Sequence, residues 1–260
     1  ICNRLWVWDY VTSFSHYLVP FPNLRVRDDN IRFLEKHHVR GIFEQDVYTT
    51  VNGELSPLSG YLNAKLLWNP HYDKDKAIHE FLTAVYGNAA KPIARYLDLI
   101  HDEVEKKNIH MDIWVGPEHR HLNDALLEKA DALWDQAEAA VANAPETLER
   151  VRVARLSVDY AILERTRARA AKAYTMDHEH FKVILAPDFL ARAKRFFAVA
   201  ERNGVTMFRE NNGALEGLKK EYGDMQPEQV YPPMAAVSPG ATEPGLRCRY
   251  FEGAWPALPD

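Results

Sequence analysis

An α/β fold followed by mostly α-helical structure is predicted by the sequence: the C-terminal strands of a (β/α)8-like parallel barrel plus an α-helical domain. Three observations support it. A strand, a helix and a second strand follow one another within about 40 residues, which is the pattern of a parallel βαβ unit. Strand-like segments then cease after Pro70, and residues 71–222 show helical periodicity. The alternative is a small independent α/β layer capped by helices.

The first strand is predicted over residues 5–10, where valine and aromatic side chains are typical of a buried strand. Acidic residues at 28 and 29 and the asparagine at 30 indicate a helix start, and this helix should end near residues 37–38. The segment 39–44 is the second predicted strand. A helix that joins two strands in this way predicts that the strands are parallel.

The remaining elements are predicted to be helices. One begins at Ser56, with Pro57 in a first-turn position that tolerates proline, and it ends at Pro70. The helices predicted after it are 73–86, 88–107, 122–142, 146–174, 181–203 with a break near Pro187, and 214–222.

These elements divide the chain into four predicted parts. Residues 1–70 form the C-terminal part of the barrel, and residues 71–224 form the helical domain. Five prolines in 227–244 predict an extended linker over 225–243. Residues 244–260 resume the alternation of a strand and open a further β unit.

Composition excludes several classes of function. The 260 residues carry a net charge of −5, so there is no basic excess for nucleic-acid binding. No stretch is apolar for long enough to span a membrane.

Cys2 and Cys248 make no disulfide framework; they form one bridge or two free thiols. The chain opens at Ile1 in a strand-like segment, and we interpret it as part of a longer protein.

Asp9 and Glu44 are the candidate catalytic residues. Each lies at the carboxyl end of a predicted parallel strand, the end at which α/β sheets and barrels build their sites. Two carboxyl groups in different environments suit glycosidic bond hydrolysis, in which one transfers a proton and the other stabilises an oxocarbenium-like centre. The structural alternative is that Asp9 caps a loop and Glu44 pairs with an arginine.

Aromatic side chains near these acids are candidates for substrate binding. Trp8, Tyr10 and Tyr48 lie near the strand ends, and Gln45 could hydrogen-bond hydroxyl groups. Flat apolar rings suit the C–H faces of sugars, although aromatic residues also dominate protein cores. For Trp6 we predict core packing instead.

No cofactor or metal site is predicted. The pairs His119 with His121 and His178 with His180 lack a third nearby ligand, so they do not match a zinc pattern. The sequence also contains neither a glycine-rich phosphate loop nor a serine or cysteine nucleophile motif.

With these residues in view, the sequence resembles a bacterial domain family of unknown function that is similar to divergent glycoside hydrolases. The resemblance covers about residues 4–110 and is carried by the segments 6–10, 39–45 and 61–70, by Glu80 and Phe81, and by Tyr86 and Gly87. It implies a (β/α)8 barrel akin to those of α-glucuronidases and β-N-acetylhexosaminidases.

The same resemblance implies a carbohydrate substrate and an extracytoplasmic location. Asp9 and Glu44 would match a pair of carboxylates on late barrel strands, and the general acid would then lie upstream of Ile1. Residues 244–260 resemble the opening strand of a glycan-binding β-sandwich of the protective-antigen type. A non-catalytic glycan-binding or scaffolding protein on a degenerate barrel is the alternative function.

Overall fold

The computed structural model describes residues 4–169, 173–177, 182–225 and 228–230. Its N-terminal part is a single βαβ unit, formed by β1 (Leu5–Tyr10), α1 (Arg27–Lys36) and β2 (Val39–Gln45). The two strands are parallel neighbours, as predicted, and Asp9 is paired in register with Glu44. A short 3-10 turn, Leu24–Val26, leads into α1.

Five helices follow the strands. They are α2 (Ser56–Trp68), α3 (Lys74–Tyr86), α4 (Ala90–Lys106), α5 (Asp124–Ala140) and α6 (Pro145–Ala168). Local chemistry fixes where several of them begin. The side chain of Asp73 accepts a hydrogen bond from the backbone N–H of Lys76, and Asn123 does the same for Leu126. Such N-caps satisfy donors that a helix start otherwise leaves unpaired.

The C-terminal part mixes helices with short antiparallel strands. Its elements are β3 (Tyr174–Asp177), β4 (Lys182–Leu185), α7 (Pro187–Arg202), β5 (Met207–Arg209), β6 (Gly213–Ala214), α8 (Leu215–Gly223) and β7 (Glu228–Val230). Strand β4 lies between β3 and β7, and β5 pairs with β6.

Two hydrophobic cores hold these elements together. The first runs from Val19 to Ala161 and unites the βαβ unit with α2 to α6, so it is continuous across Pro70. The second packs α6 against α7, α8 and the strands between them, around Tyr160 and Phe196. Helix α6 contributes side chains to both cores and therefore joins the two halves of the described chain.

The predicted barrel is wrong. In the described residues the only parallel pairing is β1 with β2, the other strands form small antiparallel sheets, and most of the chain is helical. One βαβ unit is compatible with a barrel and with a two-stranded layer alike, because its pattern specifies the crossover and not the number of strands. The observed arrangement is nearer to the alternative of a small α/β layer capped by helices.

Further details of the sequence analysis are corrected or lie outside the described residues. Strands do recur after Pro70, and the first residues of the helix predicted at 181–203 belong to β4. Three residues of the predicted linker, Glu228–Val230, pair with β4. The rest of that linker from 231 onward, the unit at 244–260, Cys2 and Cys248 lie outside the described residues.

Candidate functional site

Asp9 and Glu44 lie side by side at the ends of the two parallel strands. The alternation of side chains along a strand places both on the sheet face that also carries Ile42, which packs against the first core. Both carboxyl groups are half-buried. They line an open cleft of about 490 Å³ whose other walls come from the loop after β1, the start of α1 and the segment after α4.

The cleft presents neutral polar groups and one tyrosine beside the carboxylates. Tyr10 lines it, and its backbone N–H donates to Asp9 Oδ1 at 2.9 Å. Three asparagines also line the cleft, and their amides can both donate and accept hydrogen bonds: Asn23, Asn30 and Asn108.

A buried arginine lies beneath the carboxylates. Arg27, at the start of α1, is only 6% exposed. Its guanidinium donates to Asn23 Oδ1 at 2.7 Å, to Ser59 Oγ at 2.8 Å and to Asn63 Oδ1 at 3.0 Å, and so it ties α1 to α2. Ser59 Oγ in turn donates to Asp46 Oδ2 at 2.6 Å.

Burial near this arginine raises the pKa values of two glutamates. Burial raises the pKa of Glu44 to about 7; the negative charge of Asp9 adds to the increase and Arg27 opposes it. Burial likewise raises the pKa of Glu54 to about 8, again against the charge of Arg27. Near neutral pH, Glu44 therefore populates both its protonated and its ionised form, as a group that exchanges protons must.

The other predicted substrate-binding residues do not join this cleft. Trp8 and Gln45 lie on the opposite sheet face, where the indole Nε1–H of Trp8 donates to Gln45 Oε1 at 2.7 Å. Trp8 also packs edge-to-face on Phe43. Tyr48 lies elsewhere and donates to Glu210 Oε1 at 2.5 Å, which raises the pKa of Tyr48 to about 12.

The prediction of core packing for Trp6 is wrong, because Trp6 is 80% exposed. Its ring lies across the backbone of Gly41, the residue paired with it in β2. An aromatic residue in a strand predicts burial only when a second layer covers that face. No described element covers this one.

Sequence reasoning missed Arg27 and the three asparagines. Arg27 follows a predicted loop, and no motif distinguishes it from the other arginines of the chain. A usable signal was that six of the eight residues at 23–30 are polar although the preceding segment is largely apolar, since a buried helix start needs polar partners.

Residues 1–98 match the family described as Domain of unknown function (DUF4838). The predicted resemblance to a domain family of unknown function is thereby confirmed for that segment, which includes β1, β2 and the residues Asp9, Arg27 and Glu44. No curated protein matches the chain. No solved structure matches it either.

The described residues contain neither a cluster of metal-ligating side chains nor a membrane-spanning helix. No group of three or more His, Cys, Asp or Glu side chains there could hold a metal ion. No helix in the described ranges is both long and apolar enough to cross a bilayer.

Proposed function

We propose that the cleft at the ends of β1 and β2 binds a carbohydrate and that Asp9 and Glu44 take part in hydrolysis of its glycosidic bond. The observation that carries this proposal is the in-register pairing of two carboxylates on adjacent parallel strands in one cleft. Adjacent strands lie about 4.8 Å apart, so the two carboxyl groups can flank a single bond.

The two carboxyl groups take different roles. Glu44, whose raised pKa lies near neutrality, transfers the proton to the leaving oxygen or from a water molecule. Asp9 supplies negative charge beside the oxocarbenium-like centre. The asparagine amides and Tyr10 line the cleft where sugar hydroxyls would bind. A carbohydrate substrate of this kind also favours an extracytoplasmic location.

A non-catalytic glycan-binding role is the second candidate. It is favoured by the exposed aromatic surface of Trp8 and Phe43, which is apolar and lies on the sheet face away from the carboxylates. Such a surface can hold a sugar ring without any acid group nearby.

Turnover of nitrophenyl glycosides, uronides and N-acetylhexosaminides tests the proposal. Asp9→Asn and Glu44→Gln should each lower turnover by orders of magnitude without lowering Tm. The matched controls Asp75→Asn and Glu146→Gln, whose side chains are 86% and 89% exposed, should leave it unchanged. Glycan binding without turnover would support the second candidate. The absence of both binding and turnover would refute both candidates.

A further inference from the structure

Helix α2 carries an aromatic stripe on its outer face. Tyr61, Ala64, Lys65 and Trp68 recur at the three- and four-residue spacing that places side chains on one side of a helix. The buried side chains of the same helix, Leu58, Leu62 and Leu66, point into the first core. Tyr61 packs against the edge of that core, whereas Ala64 and Trp68 are exposed to solvent.

The turn after α2 completes a pocket around this stripe. Asn69 ends the helix, and the backbone N–H of Tyr72 donates to Asn69 O at 2.9 Å, which turns the chain back towards α2. Tyr61, Trp68 and Tyr72 then surround an open pocket of about 410 Å³. Ala64 also lines it, and its methyl group leaves the space between Tyr61 and Trp68 free.

Two of the three rings are held rigidly. The hydroxyl groups of Tyr61 and Tyr72 both donate to Glu80 Oε2, at 3.2 and 3.0 Å. The ammonium of Lys65 lies 5.2 Å from the ring centre of Tyr61 and 4.7 Å from that of Tyr72, within the range of cation–π attraction. The pocket walls are thus ordered before any ligand arrives, which lowers the entropy cost of binding.

The third ring is left open to solvent. Trp68 is 90% exposed, the highest value among the exposed large hydrophobic residues of the described chain. An indole in water costs hydrophobic free energy that a ligand covering it would recover. Polar groups lie beside it, because Asn69 and Lys65 line the same pocket.

We propose that Tyr61, Trp68 and Tyr72 form a second carbohydrate-binding site, in which the C–H face of a pyranose ring stacks on Trp68. The amide of Asn69 and the ammonium of Lys65 would bind its hydroxyl groups. Glu80 accepts hydrogen bonds from both tyrosine hydroxyl groups and so holds the two rings in place; it does not contact the sugar. The inference rests on the proposed function for the class of ligand only, since it uses neither Asp9 nor Glu44.

The indole N–H signals of ¹⁵N-tryptophan-labelled protein report on this site. The six tryptophans give six signals, and Trp68→Phe identifies that of Trp68. The probes are oligosaccharides of glucose, of N-acetylglucosamine and of glucuronic acid. At least one should shift the Trp68 signal with saturation. Trp68→Ala should weaken its Kd at least tenfold, and Ala64→Gln, which fills the pocket floor, should weaken it similarly.

Matched variants separate this inference from the proposed function. Trp6→Ala removes another highly exposed indole and should change the Kd by less than twofold. The double variant Asp9→Asn, Glu44→Gln should lose turnover yet still shift the Trp68 signal. If glycosides are hydrolysed but the Trp68 signal never moves, this inference fails and the proposed function stands. If the signal shifts and no variant or substrate shows turnover, the second site stands and the catalytic proposal fails. An apolar peptide that shifts the signal where all three sugars fail would overturn the site assigned here.

Discussion

At the scale of single residues, the position of Glu44 beside Asp9 has a cost in stability. Because the pKa of Glu44 is raised in the folded protein, the folded state binds its proton more tightly than the unfolded chain does. The contribution of this group to the free energy of unfolding is therefore largest at low pH. It falls as the pH rises from the unfolded value near 4.5 through the folded value of about 7.

The first prediction separates the two causes of this raised pKa. Replacing Asp9 with Asn removes the neighbouring charge but not the burial, so the pKa of Glu44 should fall only in part and remain above 4.5. A titration of the Glu44 side-chain carbon signal by NMR measures this directly. The free energy of unfolding of the wild type, measured in urea, should fall between pH 5 and 8 as Glu44 ionises. Glu44→Gln should remove the contribution of Glu44 to this fall. A pKa of Glu44 that returns fully to 4.5 in Asp9→Asn would show that charge, and not burial, dominates.

A second prediction at this scale concerns Arg27. Arg27→Lys keeps the positive charge but loses the planar guanidinium group, whose N–H groups donate to Asn23, Ser59 and Asn63. Hydrogen bonds of charged groups contribute about 1.5–3 kcal/mol each, so we expect a loss of about 3 kcal/mol in the free energy of unfolding. Arg32→Lys is the matched control on the same helix, and at its partly exposed site the expected change is about 0.5 kcal/mol or less. Equal losses for both variants in urea unfolding would contradict the role given to Arg27.

At the scale of elements, two glycines near the start of α8 differ sharply in what they permit. A Cβ atom on Gly213, in β6, would lie 2.6 Å from the backbone oxygen of Arg209 in β5. The missing side chain thus allows the two short strands to approach. Gly217 lies inside α8, and a Cβ atom there would meet nothing within 4 Å. Only the first glycine is required by its surroundings.

The third prediction compares alanine at these two positions. Gly213→Ala must move the β5 backbone and should cost about 1–3 kcal/mol, the usual range for overpacking. Gly217→Ala should stabilise the protein by up to about 1 kcal/mol, because alanine has a higher helix propensity than glycine. Thermal unfolding of the two variants checks this. A stabilised Gly213→Ala would mean that β5 and β6 separate at little cost.

At the scale of the whole molecule, a buried ionic network joins α5, α6 and α7. Asp159, only 2% exposed, accepts hydrogen bonds from Arg192 at 2.5 Å and from Arg195 at 2.6 Å. Arg192 and Arg155 both reach Asp131 on α5. The arginines are thereby neutralised where the first core meets the second.

The fourth prediction is that this network is costly to break. Asp159→Asn leaves Arg155, Arg192 and Arg195 with one less negative charge, and removing one partner of a buried pair costs about 3–5 kcal/mol. Asp135→Asn removes a partner of Arg155 that is 66% exposed, so the loss should be about 1 kcal/mol or less. Urea unfolding at constant pH measures both. Similar losses for the two variants would show that burial of Asp159 does not matter.

The sequence by itself determined most local structure. The strand 39–44, the helix over 56–68 and the helix starts near residues 73 and 122 follow from periodicity and proline positions, which act within a few residues. It also predicted that Asp9 and Glu44 would lie at one end of a parallel pair, because a helix between two strands imposes that direction.

Only the tertiary structure decided how many strands join and what covers them. A βαβ pattern does not specify its neighbours, so the barrel was predicted wrongly, and Trp6 and Trp68 are exposed although aromatic residues usually pack inside. The burial of Arg27 likewise depends on α2 packing against α1, and the raised pKa of Glu44 depends on its burial beside Asp9. Desolvation arises from contacts between segments distant in sequence, and local patterns of residues do not encode it.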